Sequence, residues 1–427
     1  MKRFLIIILV CILSYPINAE GSLFFRVWFT DKNECGYSID KPLDFLSEKA
    51  IVRRNKQNIR ITEEDLPLTE RYCKEITNIA GKELCRSKWL NSIIVESNDS
   101  SSIKIIEQLP FVKKVEFICF NGKRDKVKDE EYFSFGKSNS NSIYGASQEI
   151  INFTNCKPLH SKGIEGNNIY IALLDAGFGG IDTLSEWFDY TRIKFATDVV
   201  NPKGNIYKEH NHGTAVLSIM MTNNSGKYIG VAPKCDYALI RTEDLSIEAP
   251  YEEDFWVKGA EIADSIGVDI LTSSLGYKNK QPAISSIGAE IASKKGMVVI
   301  NSCGNIDKDG ITAPADAQNI IAVGSVNKKG EISSFSSKGY RKNNVVKPDL
   351  VALGEECPII DSDGNIKCAY GSSFAAPIVA GSTALIWQRM PQLTANEVTS
   401  LLRECGNRKR KPSPIYGYGI FKIKNLR

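Results

Sequence analysis

Five near-continuous apolar runs, at residues 169–174, 237–240, 268–273, 297–301 and 320–326, recur between stretches of helical periodicity in the second part of this chain. A strand that is apolar along its whole length needs cover on both faces, which is the situation of a parallel strand inside a layered α/β domain. Helices are expected near 213–221, 255–266, 284–295 and 373–389. A last one, at 395–404, sits behind the capping box Thr394-Ala395-Asn396-Glu397. The alternation predicts an α/β fold with a doubly wound, mostly parallel sheet and helices on both faces. Chemistry in such a fold is sought beyond the carboxyl ends of the strands.

The first part of the chain reads differently. Residues 1–20 carry a basic start (Lys2, Arg3), an apolar run to Leu13 and a small residue at Ala19, the layout of a signal peptide that is removed on export. That run is too short to span a bilayer comfortably, and no later one is apolar enough to do so. Residues 21–120 read as a small α+β unit, with strands at 23–29, 92–96 and 112–119 and helices at 42–54, 70–79 and 101–109. Residues 121–143, rich in Lys, Asp, Glu, Ser and Asn, read as an exposed linker, and 144–427 as the α/β domain. A net charge of only +4, with no basic stretch interleaved with aromatics, argues against a nucleic-acid partner. Ten cysteines follow the signal segment. Cys357 and Cys368 flank a polar loop holding Asp361, Asp363 and Gly364, and a disulfide is expected there. No Cys-x-x-Cys pair supports a zinc site.

Polar residues stand at the ends of the apolar runs. The run 169–174 stops in Asp175-Ala176-Gly177, His212-Gly213-Thr214 opens a buried helix, and the run 297–301 enters Ser302-Cys303-Gly304-Asn305. A fourth place is Gly371-Ser372-Ser373, directly before a helix without a charge until Arg389. Each residue has a plain structural use: Ser373 as a helix cap, Asp175 as a cap, His212 and Asn305 as turn residues. Together they are what serine chemistry requires, namely a hydroxyl, an imidazole to take its proton, a carboxylate to orient the imidazole and a donor for the oxyanion. His210, in a polar loop, is expected at the surface, and His160 lies apart from all four places. The run Gly177-Phe178-Gly179-Gly180 lacks the last glycine of a dinucleotide fingerprint.

These four stretches, the last continuing as Phe374-Ala375-Ala376-Pro377, resemble the signature motifs of the subtilisin-like serine peptidases, in the order Asp, His, Ser that marks that family. The resemblance implies Ser373 as nucleophile, His212 as general base and then acid, and Asp175 as the orienting carboxylate. It also implies that Asn305 and the Ser373 N–H bind the oxyanion, while Ser274, Leu275 and Gly276 wall the primary specificity pocket and pair with extended substrate. Residues 21–120 resemble the propeptide that such enzymes use as chaperone and inhibitor. The expected function is thus a secreted, monomeric peptidase zymogen, whose partners are protein or peptide substrates and its own propeptide. No cofactor is needed for the chemistry. Structural calcium is a family expectation, with no ligand set legible here. Maturation is expected between Gly122 and Ile143. Ser372, Ala176 and Cys303 depart from the commonest family residues, and Cys303 is read as a small packed side chain. A catalytically inactive binding relative is the alternative, and an enzyme using Cys303 is a weaker one.

Overall fold

The computed structural model describes residues 21–121, 132–136, 142–246, 249–278, 282–306, 310–342 and 345–424, so the expected signal peptide lies outside the described residues. The chain first forms an antiparallel sheet of β1 (Leu23–Phe29), β2 (Lys82–Ser87), β3 (Ser92–Ser97) and β4 (Val112–Phe120), in the order β2-β3-β1-β4. Its helices are α1 (Glu48–Lys56), α2 (Glu70–Ala80) and α3 (Ser101–Ile106). Helix α1 starts later than its sequence suggests because Ser47 caps it, accepting from the Ala50 N–H at 3.1 Å. Strand β2 escapes sequence reading because it is an edge strand with Lys82, Glu83 and Arg86 at solvent-facing or half-buried positions. Alternation along β1 divides the sheet's work. Phe25 and Val27 pack under α2 with Tyr72 and Ile76, whereas Phe24 turns to the large domain.

After β5 (Phe133–Ser134), α4 (Gln148–Thr154) and α5 (Lys157–His160), the α/β domain unfolds in chain order. It runs β6 (Tyr170–Asp175), β7 (Ile193–Asp198), α6 (His212–Met221), the hairpin β8 (Asn223–Asn224) and β9 (Tyr228–Ile229), β10 (Asp236–Arg241) and α7 (Glu252–Ser265). Then come β11 (Ile270–Ser273), α8 (Ile284–Lys294), β12 (Val298–Ser302), β13 (Ile321–Val326), and the hairpin β14 (Tyr340–Lys342) with β15 (Val345–Lys347). The chain closes with β16 (Leu350–Leu353), the hairpin β17 (Cys357–Ile360) and β18 (Ile366–Ala369), α9 (Ser372–Arg389) and α10 (Ala395–Glu404).

Seven strands make one wholly parallel sheet, in the order β16-β13-β12-β11-β6-β10-β7. The five apolar runs all lie in it. Strand β7, at the edge, alternates half-buried and exposed residues, and β16 is only four residues long, so neither reads as a continuous apolar run. Ile171 and Leu173 of β6 face a core with α6 and α9, while Tyr170, Ala172 and Leu174 face a second core with α7 and α8. Phe24, Trp89 and Ile94 of the small domain join that second core, and the small domain covers α7. The chain steps from β6 to one side and later to the other, which puts the switch point of the sheet at the carboxyl end of β6.

Charged pairs stitch the two domains. Arg26 meets Asp254, Ser87 and the Trp89 N–H meet Glu261, and Arg53 and Arg54 converge on Asp264. The expected Cys357–Cys368 disulfide is absent, and all ten described cysteines are thiols. In the β17–β18 hairpin Cys357 pairs with Ala369 and Cys368 with Pro358, so the two cysteines are one position out of register and point to opposite faces. Within the stretch expected as linker, Phe133–Ser134 pairs as a strand with β18; residues 122–131 and 137–141 lie outside the described residues.

Candidate active site

Asp175 is the last residue of β6 and is fully buried. Its Oδ1 accepts the Ala176 N–H at 2.8 Å and lies 2.7 Å from Nδ1 of His212. Its Oδ2 has no donor among the described residues. His212 opens α6 and is 7 % exposed. Two glycines let these backbones meet: the Gly213 N–H donates to Gly177 O at 3.0 Å. A Cβ on Gly213 would stand 2.4 Å from that oxygen, and one on Gly177 would stand 2.5 Å from His210 O. The glycines of both motifs are therefore required by close approach.

Ser373 is the second residue of α9 and only 4 % exposed. Phe374, next to it, sets its ring 5.9 Å from the His212 ring, so the first turn of α9 faces the first residue of α6. The Ser373 main chain lies against the segment after β11: the Ser274 hydroxyl donates to Ser373 O at 2.8 Å, and Ser373 Oγ is 3.5 Å from Ser274 O. Leu275 is buried, and its carbonyl is taken by the Asn301 amide at 2.9 Å. Gly276 is exposed and leaves the sheet, with space for a Cβ closed by Thr312 Oγ1 at 2.3 Å.

Asn305 reaches the same place from the end of β12. Its Oδ1 accepts from the Ser372 N–H at 2.8 Å and from the Ser372 hydroxyl at 2.9 Å. With the oxygen committed, Nδ2 is the end available to a ligand. The structure thus brings Asp175, His212, Ser373, Asn305 and the 274–276 segment together at the carboxyl ends of β6, β11 and β12. Such an arrangement can accept a hydroxyl proton, hold the resulting imidazolium and offer donors to an anionic oxygen.

Two residues belong to the site beyond those expected. Ser372 tethers Asn305, a role its position beside Ser373 hid. His210 is half-buried, not at the surface, and its Nδ1 accepts the His212 main-chain N–H at 3.1 Å. His160 lies elsewhere, between Tyr144 and Val231 O. Cys303 is fully buried behind the loop, beside Ser336 and Ser337, and burial pushes its thiol up to about 11. That environment opposes thiolate chemistry. Among the described residues no three His, Cys, Asp or Glu side chains converge on a metal-sized space. The acidic loop at Asp361 is satisfied by its own N–H groups at 363 and 365 and by Lys367. Among the described residues no carboxylate cluster therefore forms a calcium site.

Residues 166–419 match the Subtilase family, and residues 25–131 match the Peptidase S8 propeptide domain of Bacteroidota. A subtilisin of Bacillus pumilus is 30% identical over 288 residues, 66% of this chain and 97% of its own length. Subtilisin E of Bacillus subtilis is 28% identical over 356 residues, 82% of this chain and 84% of its own. The thermostable alkaline protease of Halalkalibacterium halodurans is 26% identical over 328 residues, 77% and 86% of the two chains. Among solved structures, that of MycP1 with its N-terminal propeptide removed superimposes with a TM-score of 0.54 at 19% identity, covering 64% of this chain and 94% of MycP1, a likeness of fold. The chain belongs to the subtilase family of serine endopeptidases and carries the family's propeptide domain.

Proposed function

We propose that the chain is a secreted, self-processing zymogen that hydrolyses peptide bonds through an acyl-enzyme on Ser373. The observation that carries this reading is the 2.7 Å contact of His212 Nδ1 with the buried Asp175, on the wall that faces the first turn of α9. Asp175 holds the imidazole with Nδ1–H inward, which leaves Nε2 as the base for the Ser373 hydroxyl. The carboxylate then stabilises the imidazolium as Oγ attacks the scissile carbonyl. Asn305 Nδ2 and the Ser373 N–H, an orphan donor of the first helical turn, receive the oxyanion. His212 returns the proton to the departing amine, and water reverses the sequence to free the acid. The exposed Gly276 and the Ser274 carbonyl offer an edge along which the acyl side of an extended substrate adds as a strand. Export rests on the signal-like residues 1–20; no described helix is long and apolar enough to cross a membrane. The small domain is read as the chaperone and inhibitor, removed by Ser373 itself, and the processed enzyme as a monomer.

Ser373→Ala is the test. It is expected to abolish protein hydrolysis, removal of the small domain and labelling by a fluorophosphonate; a purified variant that still cleaves casein refutes the reading, and a wild-type chain that ignores the fluorophosphonate favours an inactive binding relative.

A further inference from the structure

Three neighbouring strands end side by side in charged residues. In the parallel register of β6, β10 and β7, Arg241 stands opposite Asp175 on one side and opposite Asp198 on the other. Alternate residues of a strand share a face, and Leu239 and Tyr237 of β10 lie in the core with α6. The Arg241 side chain therefore emerges on the α6 side of the sheet, where His212 opens that helix. Arg241 and Asp198 are both buried. A buried guanidinium is tolerated only where its donors are met.

Every arm of this fork is taken, and by different segments. Nε donates to Ala176 O at 3.0 Å, and Nη1 meets the two oxygens of Asp198 at 3.1 and 3.4 Å. Nη2 stands 3.3 Å from Glu209 Oε2 and 3.8 Å from Asp244 Oδ2. Ala176 follows Asp175, and its N–H is the donor to Asp175 Oδ1. Glu209 precedes His210, whose main-chain oxygen accepts the Gly179 N–H and whose Nδ1 accepts the His212 N–H. One side chain thus holds the turn behind the carboxylate and the loop in front of the imidazole, anchored on Asp198 at the end of β7. A planar fork with five donors can span these partners, whereas the compact ammonium of a lysine cannot.

We propose that Arg241 is a positioning residue of the acid–base pair: by bridging Ala176 O and Glu209 it sets the 2.7 Å approach of His212 Nδ1 to Asp175. This rests on the acyl-enzyme reading above. Arg241 acts through Asp175 and His212 and not on the substrate, so its loss is a loss of turnover, not of binding.

Two variants test this. Arg241→Lys keeps the charge and loses the fork; Arg241→Gln/Asp198→Asn removes the buried pair together, so that no charge is stranded. On a peptide amide, with active sites counted by a fluorophosphonate, the processed form of each is expected to lose about 100-fold in kcat, the scale of an ångström of misplacement, at nearly constant KM. A second readout needs no turnover and decides alone for a variant that does not process itself. In the uncut Ser373→Ala chain the His212 Nδ1–H proton, shared with Asp175, should give a far-downfield NMR signal that moves upfield or broadens away in both variants while urea unfolding stays cooperative. A kcat near that of wild type, a loss carried by KM, or an unchanged downfield signal in a folded variant overturns the proposal and leaves the acyl-enzyme reading standing. Hydrolysis that persists in Ser373→Ala, or is absent from the wild type, overturns that reading and this proposal with it.

Discussion

Arg26 grips Asp254 across the boundary between the propeptide domain and the peptidase domain, its Nε at 2.9 Å from one carboxylate oxygen and its Nη2 at 2.5 Å from the other. The two side chains are 5 % and 2 % exposed. Two nitrogens of the fork meet the two carboxylate oxygens, which makes this the strong class of charged hydrogen bond. Breaking such a pair from one side strands a buried charge and typically costs about 3–5 kcal/mol. In the uncut Ser373→Ala chain, Arg26→Met is expected to lower unfolding stability by about 3 kcal/mol, read from urea titration. Arg26→Met with Asp254→Leu should recover much of that loss. A double variant as unstable as the single one would show that the pair is not what binds the two domains here.

The Ser372 hydroxyl holds the oxygen of Asn305, accepts the Gly304 N–H at 3.2 Å, and so sets which end of the amide faces the cleft. Ser372→Ala removes one of the two bonds on Asn305 Oδ1 and keeps the other, from the Ser372 N–H. Activity is expected to fall about tenfold, within the range of one neutral hydrogen bond, and to fall in kcat with KM nearly constant, because the oxyanion exists only in the transition state. Ser372→Thr should restore it. Steady-state kinetics on a peptide amide decide the matter, and a rise in KM at constant kcat would place Ser372 in ground-state binding instead.

Much of this site was legible because its parts sit at sequence-visible punctuation. Asp175 ends an apolar strand, His212 and Ser373 begin buried helices, and Gly177 and Gly213 mark where two backbones touch. What was not legible depends on partners far away in the chain. Arg26 and Asp254 are separated by 228 residues and carry no local signature of their pairing. His210 looks like a loop residue until the turn folds its ring onto the His212 N–H. The edge strands β2 and β7 expose one side to solvent and so lack the continuous apolar signal of the central strands. Cysteine spacing misled for a geometric reason: eleven residues bring Cys357 and Cys368 onto neighbouring strands, but only register decides whether their side chains meet.

Thiol chemistry checks that register. Cys35, Cys119 and Cys368 are half-buried and the other seven described cysteines are buried. Burial raises the thiols of Cys73 and Cys156 to about 11 and drives Cys235 and Cys357 well above the ordinary value. The folded chain is therefore expected to react slowly with iodoacetamide, first at the half-buried positions, and to keep its activity, since Cys303 is shielded. Its intact mass should not change on reduction. A 2 Da gain that maps to Cys357 and Cys368 would show that the hairpin shifts register in the exported protein.

Acid sensitivity has an identifiable contributor in His160. Burial depresses its pKa below 6.5, an effect that the Val231 carbonyl and Glu165 oppose and Lys234 reinforces. Its Nε2 donates to Val231 O at 2.9 Å and its Nδ1 accepts from the Tyr144 hydroxyl at 3.3 Å, so the neutral ring is the one the fold uses. A base with a lowered folded pKa binds its proton more readily when unfolded, so stability rises with pH through this window. The contribution is fully present above about 6.5, declines as pH falls below it, and levels off under the folded pKa. The stability of wild type minus that of His160→Asn should accordingly shrink between pH 7.5 and 5, as measured by urea unfolding of the uncut Ser373→Ala chain. A difference that stays constant over this range would show that His160 does not titrate between the two states.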